Sequence, residues 1–386
     1  MPKRVGFLYD KLLDKEFIKK CIIKGAKKKS KRWDVAFVKA DIDFYVDKMY
    51  NIVKNHDYTP TQPKIKTIND ISSQKVREIA VQPFFPDGVM QQMIVAAMQD
   101  VLMRGMHHWS CASIPDRGGK HALKIAKRAV QKRRKNSKYI AELDIKKFYP
   151  STPQRGVIKA LERKIKDKDF LQLIAVTISC YPEGLRYAYD LGMPADVIVG
   201  DKVGLCIGFY VNQWLENYYL ESLDTFALQQ DGVSFEYRYM DNIQMFGRNK
   251  KKLHKAVRAI NEYLQREKGV KLKENWQVYK MTDKERSRKL STVGYRVGRN
   301  YTIVRKRNFL RFTRQCRRAK KLKSQRKPIP VSMAQGLISR AGQYKWCNGR
   351  KVLEKYFFPI GVRRLKNIIR EDARRRNALQ KGAVTV

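Results

Sequence analysis

Acidic residues are scarce in this chain: 36 Asp and Glu stand against 83 Lys and Arg in 386 residues, a formal net charge of +47. Solubility alone does not require so large an excess, which marks a polyanion as the partner. Cysteines are few and scattered (Cys21, Cys111, Cys180, Cys206, Cys316 and Cys347), with no CxxC pair. Neither a disulfide framework nor a zinc site is indicated, and they read as reduced, mostly packed thiols. The five histidines, His56, His107, His108, His121 and His254, form no metal-ligand pattern. No apolar run has the length of a bilayer span or the character of a signal peptide, so a cytoplasmic protein with no membrane partner is expected. Internal repeats and low-complexity linkers are missing as well, so divisions of the chain rest on shifts in charge and periodicity.

What is present is a hydrophobic fraction of 43%, enough for at least one large core, and a length that allows two or three subdomains around a shared cleft. The positive charge recurs along the whole chain in blocks such as KGAKKKSKR, QKRRK, VRKRNFLRFTRQCRRAKKLK and DARRR. This dispersal favours nucleic acid over a membrane surface or a ribosome, the bland alternative being a merely basic exterior.

Periodicity organises the chain. Val38, Ile42, Tyr45, Val46, Met49 and Ile52 fall near the helical period until DYTPTQP stops it. KVREIAVQ, residues 75 to 82, alternates as a half-exposed strand, and Pro86-Asp87-Gly88 turns into an amphipathic helix. In KYIAELDIKKFYPS, Asp144 shares a strand face with Ile140 and Glu142 and ends that strand. Gly204 and Gly208 precede a helix with Val211, Trp214, Leu215 and Tyr218 on its apolar face. VSFEYRYMDNIQMFG reads as a hairpin about Met240-Asp241. A long helix closed by Gly269 follows, then short strands, then three basic helical stretches near 307 to 325, 331 to 344 and 350 to 377.

Two carboxylates at strand tips invite a metal hypothesis. Nucleotide addition is an in-line displacement at phosphorus, stabilised by two divalent cations roughly 3.5 to 4 Å apart that carboxylates must hold. The order of the segments resembles the palm of reverse transcriptases: LDIKKFYPS, GLCIGFYVNQ, YMDN, GVKLKENWQV and TVGYR stand for its five motifs. KVREIAVQPFFPD and SIPDRGGKHALK are similar to the fingers of the same family. The IG before the second helix and the LKENWQV stretch look most like the enzymes of diversity-generating retroelements.

The resemblance implies an α+β right-hand polymerase: a palm with an antiparallel sheet and packed helices, fingers, and a helical thumb. Its parts would be a basic helical extension (1–65), fingers (66–140), palm with some fingers insertion (141–300) and basic thumb (301–386). It implies an RNA-directed DNA polymerase, bacterial or phage-encoded, that extends a primer on template RNA with dNTPs. Asp144 and Asp241 would ligate two Mg2+ ions, or Mn2+ as a substitute, with the backbone carbonyl of Ile145 as a further ligand. Tyr149 would exclude a ribose 2'-hydroxyl, Lys75 and Arg77 would clamp the incoming triphosphate, and Gly208 and Gln213 would lie near the templating base. Arg117, Gly118 and Lys120 would contact template phosphates, and Gly294 and Tyr295 resemble a primer-grip turn. Each has a plain structural alternative: palm packing for Tyr149, solvated charges for Lys75, Arg77 and the Arg117 loop, a helix start for Gln213, a simple hairpin for Gly294 and Tyr295.

Two positions depart from the family. Where a second catalytic aspartate is usual stands Asn242, whose amide offers a hard cation less charge. The lysine that can act as general acid has no secure match; Trp276 stands near its place, with Lys271 and Lys273 as alternatives. Glu142 lies two residues before Asp144 and reads as exposed or locally paired. The competing readings are a catalytically weakened RNA-binding module, a phage-defence reverse transcriptase, and an RNA polymerase or template-independent transferase on the same palm. Basic charge beyond a cleft's needs also implies a structured RNA and a small accessory protein as partners.

Overall fold

The computed structural model describes residues 4–29, 32–70, 75–284 and 287–382. Helix α1 (Lys15–Ala26) is followed by α2 (Trp33–Ala40) and α3 (Ile42–Lys54). The single helical pattern through Val38 and Ile52 is thus two helices. Asp41 leaves helical geometry (φ −141°, ψ 77°), and its carboxylate caps α3 by accepting from the Phe44 amide at 3.1 Å. Strands β1 (Lys64–Asp70) and β2 (Lys75–Val81) pair antiparallel, Lys64 opposite Val81. Then comes α4 (Val89–Met103), expected to be amphipathic but buried on nearly all sides, Gln91 and Gln92 included. Gln91 is satisfied internally: its Nε2 donates to Gln82 Oε1 at 2.8 Å, and its Oε1 accepts from the Tyr210 amide at 2.7 Å.

The chain continues through β3 (Ser110–Cys111), α5 (Gly119–Lys127), β4 (Tyr139–Asp144) and the helices α6 (Phe148–Ser151), α7 (Gln154–Glu162), α8 (Lys168–Ser179), α9 (Gly184–Asp190) and α10 (Ala195–Val199). Next are α11 (Tyr210–Tyr219), α12 (Glu221–Gln229), the hairpin β5 (Phe235–Tyr239) and β6 (Asn242–Gly247), α13 (Lys250–Lys268) and β7 (Gln277–Lys280). The last part holds β8 (Leu290–Thr292), β9 (Tyr295–Val297), β10 (Thr302–Val304), α14 (Lys306–Ser324), α15 (Val331–Ala341), α16 (Arg350–Val352) and α17 (Val362–Gly382).

These elements form two compact units, 1–118 with 141–278, and 119–140 with 279–386. In the first, a five-stranded sheet runs in the order β3-β5-β6-β4-β7. It is mixed rather than purely antiparallel, because β3 lies parallel to β5 while β5 and β6 are antiparallel. Helix α12 packs on β5 and α13 on β6, and α11 lies against α4 and α7. Helix α13 ends where expected, at Gly269 in left-handed geometry (φ +62°).

The second unit contains an antiparallel β8-β9-β10 sheet and the basic helices α14, α15 and α17. Residues 119–140 belong to it because buried Arg299 holds them. Its guanidinium donates to Val130 O (2.8 Å), Ser137 Oγ (2.7 Å) and Ser137 O (2.8 Å). The helix expected over 350 to 377 is interrupted at Gly361 (φ +96°), after which α17 begins. All six cysteines are free thiols. Among the described residues no helix is long and apolar enough to cross a membrane.

Candidate active site

Strand β4 delivers Asp144 at its last residue, and the backbone on either side pins it there. The Ile145 amide donates to Asp241 O at 3.1 Å, the Lys273 amide to Asp144 O at 2.8 Å, and the Lys146 amide to Lys271 O at 2.8 Å. One residue on, Lys147 takes left-handed geometry (φ +44°) and turns the chain into α6.

Asp241 sits in the two-residue turn between β5 and β6, where Tyr239 faces Asn242 and Met240 is left-handed (φ +55°). The turn is held from within by Arg238, fully buried on β5. Arg238 Nε donates to Asp224 Oδ1 at 2.6 Å and Nη2 to Asp224 Oδ2 at 2.8 Å, while Nη1 reaches Asn217 Oδ1 (2.8 Å) and the Met240 carbonyl (3.1 Å).

The two catalytic candidates are therefore brought together, and their electrostatics agree. Burial pushes the Asp241 carboxyl up, and the Asp144 charge adds to it; Lys273 and the Asn242 amide work in the other direction. Asn242 Nδ2 donates to Asp241 Oδ1 at 2.9 Å, so its side chain serves the neighbouring carboxylate. Asp144 Oδ1 is buried. What faces it is the Lys273 ammonium, in an ion pair. Of the two lysines considered from sequence, Lys273 is the one at the carboxylates; Lys271 is exposed, and Trp276 stacks edge-on against His254 at 5.5 Å.

Among the described residues no group of three or more His, Cys, Asp and Glu side chains is arranged to hold a metal. The fit of a divalent cation rests on two carboxylates and backbone oxygen. On that basis it fits: the buried Asp144 oxygen has a cation as its partner, the Lys273 ammonium, and the Asp241 carboxyl beside it is pushed up by burial and by the Asp144 charge, both of which a bound cation would offset.

Tyr149 is half-buried beside these groups. Burial pushes its phenol far up, and the charges of Glu216 and Asp241 push in the same direction. Its carbonyl accepts from the Leu205 amide at 2.8 Å, which docks the glycine loop against α6. Gly208 has φ +119°, and a Cβ there would lie 2.3 Å from Ala80 O, so the glycine is required by β2 itself. The Ala80 amide donates to Ile207 O at 2.7 Å, completing that junction. Gln213 is the exposed side chain on an otherwise buried or half-buried α11, with Ser113 Oγ 3.4 Å from its Oε1.

Arg77 is exposed on β2, three residues or roughly 10 Å along the strand from the Ala80 junction. The side chain of Lys75 lies outside the described residues. Arg117 donates to His107 O at 3.1 Å, and Gly118 has open space where a Cβ would stand. Lys120, Gly294 and Tyr295 belong to the second unit. There Lys120 sits over the Trp346 ring (4.8 Å), Gly294 is left-handed (φ +88°), and Tyr295 is buried with its hydroxyl donating to Gln343 O at 2.9 Å. Glu142 is half-buried on β4.

Sequence reasoning missed Glu216. It is fully buried on α11; Oε2 accepts from Thr152 Oγ1 at 3.3 Å and Oε1 has no partner. Burial pushes its carboxyl well above the usual range, the Asp241 charge adds to this, and the hydrogen bond from Thr152 opposes it. The available signal was a glutamate set between Leu215 and Tyr218 in a helix with too few polar residues to expose it.

No family model matches the chain. It is similar to Protein YkfC of Escherichia coli (strain K12), 24% identical over 152 residues, which are 39% of this chain and 40% of that protein. Among solved structures it is similar to apo telomerase from Candida tropicalis truncated from the C-terminal domain, with a TM-score of 0.43, 14% identity, and coverage of 66% of this chain and 58% of that one. For telomerase from Candida albicans in complex with a TWJ fragment of telomeric RNA, the TM-score is 0.41 at 13% identity, covering 69% of this chain and 50% of that one. The chain thus spans less than two thirds of the length of each of these relatives.

Proposed function

We infer that this chain is an RNA-directed DNA polymerase that transfers nucleotides from dNTPs to a primer 3'-hydroxyl, in the setting of a diversity-generating retroelement. The observation that carries the reading is the meeting of Asp144 and Asp241, delivered by two neighbouring strands and linked by the Ile145 amide, with a cation seated on the first. Asp144, Asp241 and the carbonyl of Ile145 would hold Mg2+, which supplies Lewis-acid stabilisation of the attacking and leaving oxygens. Tyr149 borders the carboxylates closely enough to feel Asp241, a position suited to sensing the sugar of an incoming nucleotide. Gln213 offers an exposed amide for the template side. The charge of +47 supports template RNA, cDNA, a structured RNA and a small accessory protein as partners in the cytoplasm; a bacterial or phage setting comes from the resemblance.

The test is primer extension on a synthetic RNA template with dNTPs and Mg2+. Wild type is expected to extend the primer, and Asp241→Ala, folded by circular dichroism, to do nothing. A second reading is favoured by one specific observation: Asn242 brings no charge and spends its amide on Asp241. If wild type fails with Mg2+ and with Mn2+ while Asn242→Asp extends, the native protein is an RNA-binding module of weakened catalysis, in a defence system or otherwise.

A further inference from the structure

A cavity of about 830 Å3 opens in the first unit, and it shares no residue with the carboxylate site. It is lined by the end of α7, the end of α11 with the start of α12, and the last residue of α13. The N-terminal segment closes one side, where the Val5 amide donates to Lys164 O at 2.8 Å and the Lys166 amide to Val5 O at 2.9 Å. Five cations line it: Arg4, Lys159, Arg163, Lys164 and Lys268. Of the two acids present, Glu221 is bound to Lys164 at 2.9 Å, which leaves Glu162 against four cations.

Lys268 is the unusual member. Only 6% exposed, it has no ion pair or hydrogen bond to its ammonium among the described residues, and the group lies 4.6 Å from the centre of the Tyr219 ring. A buried ammonium without a carboxylate is costly to keep, and here it faces a cavity large enough for a ligand of nucleotide size. Burial and the Arg163 charge lower its pKa to about 8 although Glu267 and Glu221 pull the other way without pairing with it, so a bound anion would relieve the site.

We propose that this cavity binds a terminal phosphate group, a phosphomonoester or diphosphate, with Lys268 at its floor and the exposed guanidinium of Arg163 at its rim. A single carboxylate would neutralise one of the three cations in excess of the acids; a multiply charged phosphate answers several, and guanidinium binds it bidentately. Depth selects an end over a chain. A phosphodiester flanked by sugars on both sides cannot reach a lysine buried to this extent, whereas a terminal phosphate can. The source is either a free nucleotide or the 5' end of an RNA.

The probes are pyrophosphate, ADP, and one RNA oligonucleotide with a 5'-phosphate or a 5'-hydroxyl, titrated calorimetrically into the full chain in EDTA. EDTA keeps the carboxylate site from taking nucleotide through a divalent cation. Lys268→Met fills the same volume without charge, and Arg163→Gln alters an exposed residue that folding does not need. Binding of pyrophosphate or ADP that weakens at least about tenfold in both variants identifies a nucleotide site. Preference for the 5'-phosphorylated over the 5'-hydroxyl RNA, lost in both variants, identifies an RNA end. Equal affinity of wild type and variants for every probe, or no preference for a terminal phosphate, overturns the proposal.

Discussion

Replacing Lys273 with methionine separates a cation site from an ordinary ion pair. The Lys273 and Asp144 side chains are 31% and 34% exposed. Two unit charges about 4 Å apart at an effective dielectric near 20 attract by about 4 kcal/mol, and partial exposure screens this to about 1 to 2 kcal/mol. Without a divalent cation, Lys273→Met leaves two carboxylates facing each other, and the folded state should lose about 1 to 2 kcal/mol. The backbone bond from the Lys273 amide to Asp144 O survives the substitution, so the loss is electrostatic. With saturating Mg2+ the ammonium is displaced in wild type too, and the difference should vanish. Because the variant has no ammonium to displace, its apparent Mg2+ affinity should rise about tenfold. Unfolding followed in EDTA and across a MgCl2 titration measures both quantities, since a ligand that binds only the folded state stabilises it in proportion to the logarithm of its saturation. Lys271→Met, exposed on the same segment, is the control and should change neither. An equal loss of stability at every Mg2+ concentration would refute the reasoning.

Gly208→Ala should cost about 3 kcal/mol in urea unfolding, because it combines a positive φ with a Cβ 2.3 Å from Ala80 O; a loss below about 0.5 kcal/mol would show that β2 can move away. Glu216→Gln should flatten the pH dependence of stability. The raised carboxyl is neutral in the fold while its unfolded counterpart ionises near pH 4.3, so wild type is most favoured below that pH. It then loses up to about 1.4 kcal/mol per pH unit until the folded value is passed. An unchanged slope in the variant would mean that Glu216 ionises normally. Tyr149→Ala should raise ribonucleotide incorporation relative to deoxyribonucleotide in primer extension, with selectivity equal to wild type as the result against it.

The parts of the fold legible in the sequence were those governed by local patterns. The β5-β6 hairpin could be placed because alternation breaks at Met240-Asp241, and the end of α13 because Gly269 closes it. Both are decided within a few residues. Elements decided by packing were read less well. Helix α4 carries Gln91 on a side that an amphipathic reading would leave exposed, yet it is buried, because distant Gln82 and Tyr210 supply its hydrogen bonds. The split of α2 from α3 turns on Asp41 acting as a cap, which helical periodicity does not register. At the candidate site, the strand-tip aspartates were visible as a spacing. The partners that fix them, Lys273 on Asp144 and Arg238 under Met240, meet them only through the sheet order.

Asn242 takes on a different meaning once Glu216 is counted. A third carboxyl, buried on α11, already feels Asp241, and burial and the Asp241 charge both push it towards its protonated form. An aspartate at 242 would put another negative charge beside Asp241, whose own ionisation is opposed by burial and by Asp144. The amide does the reverse: it adds no charge and donates to the oxygen that must stay ionised to hold a cation. Asn242 therefore supports the charge state of its neighbour.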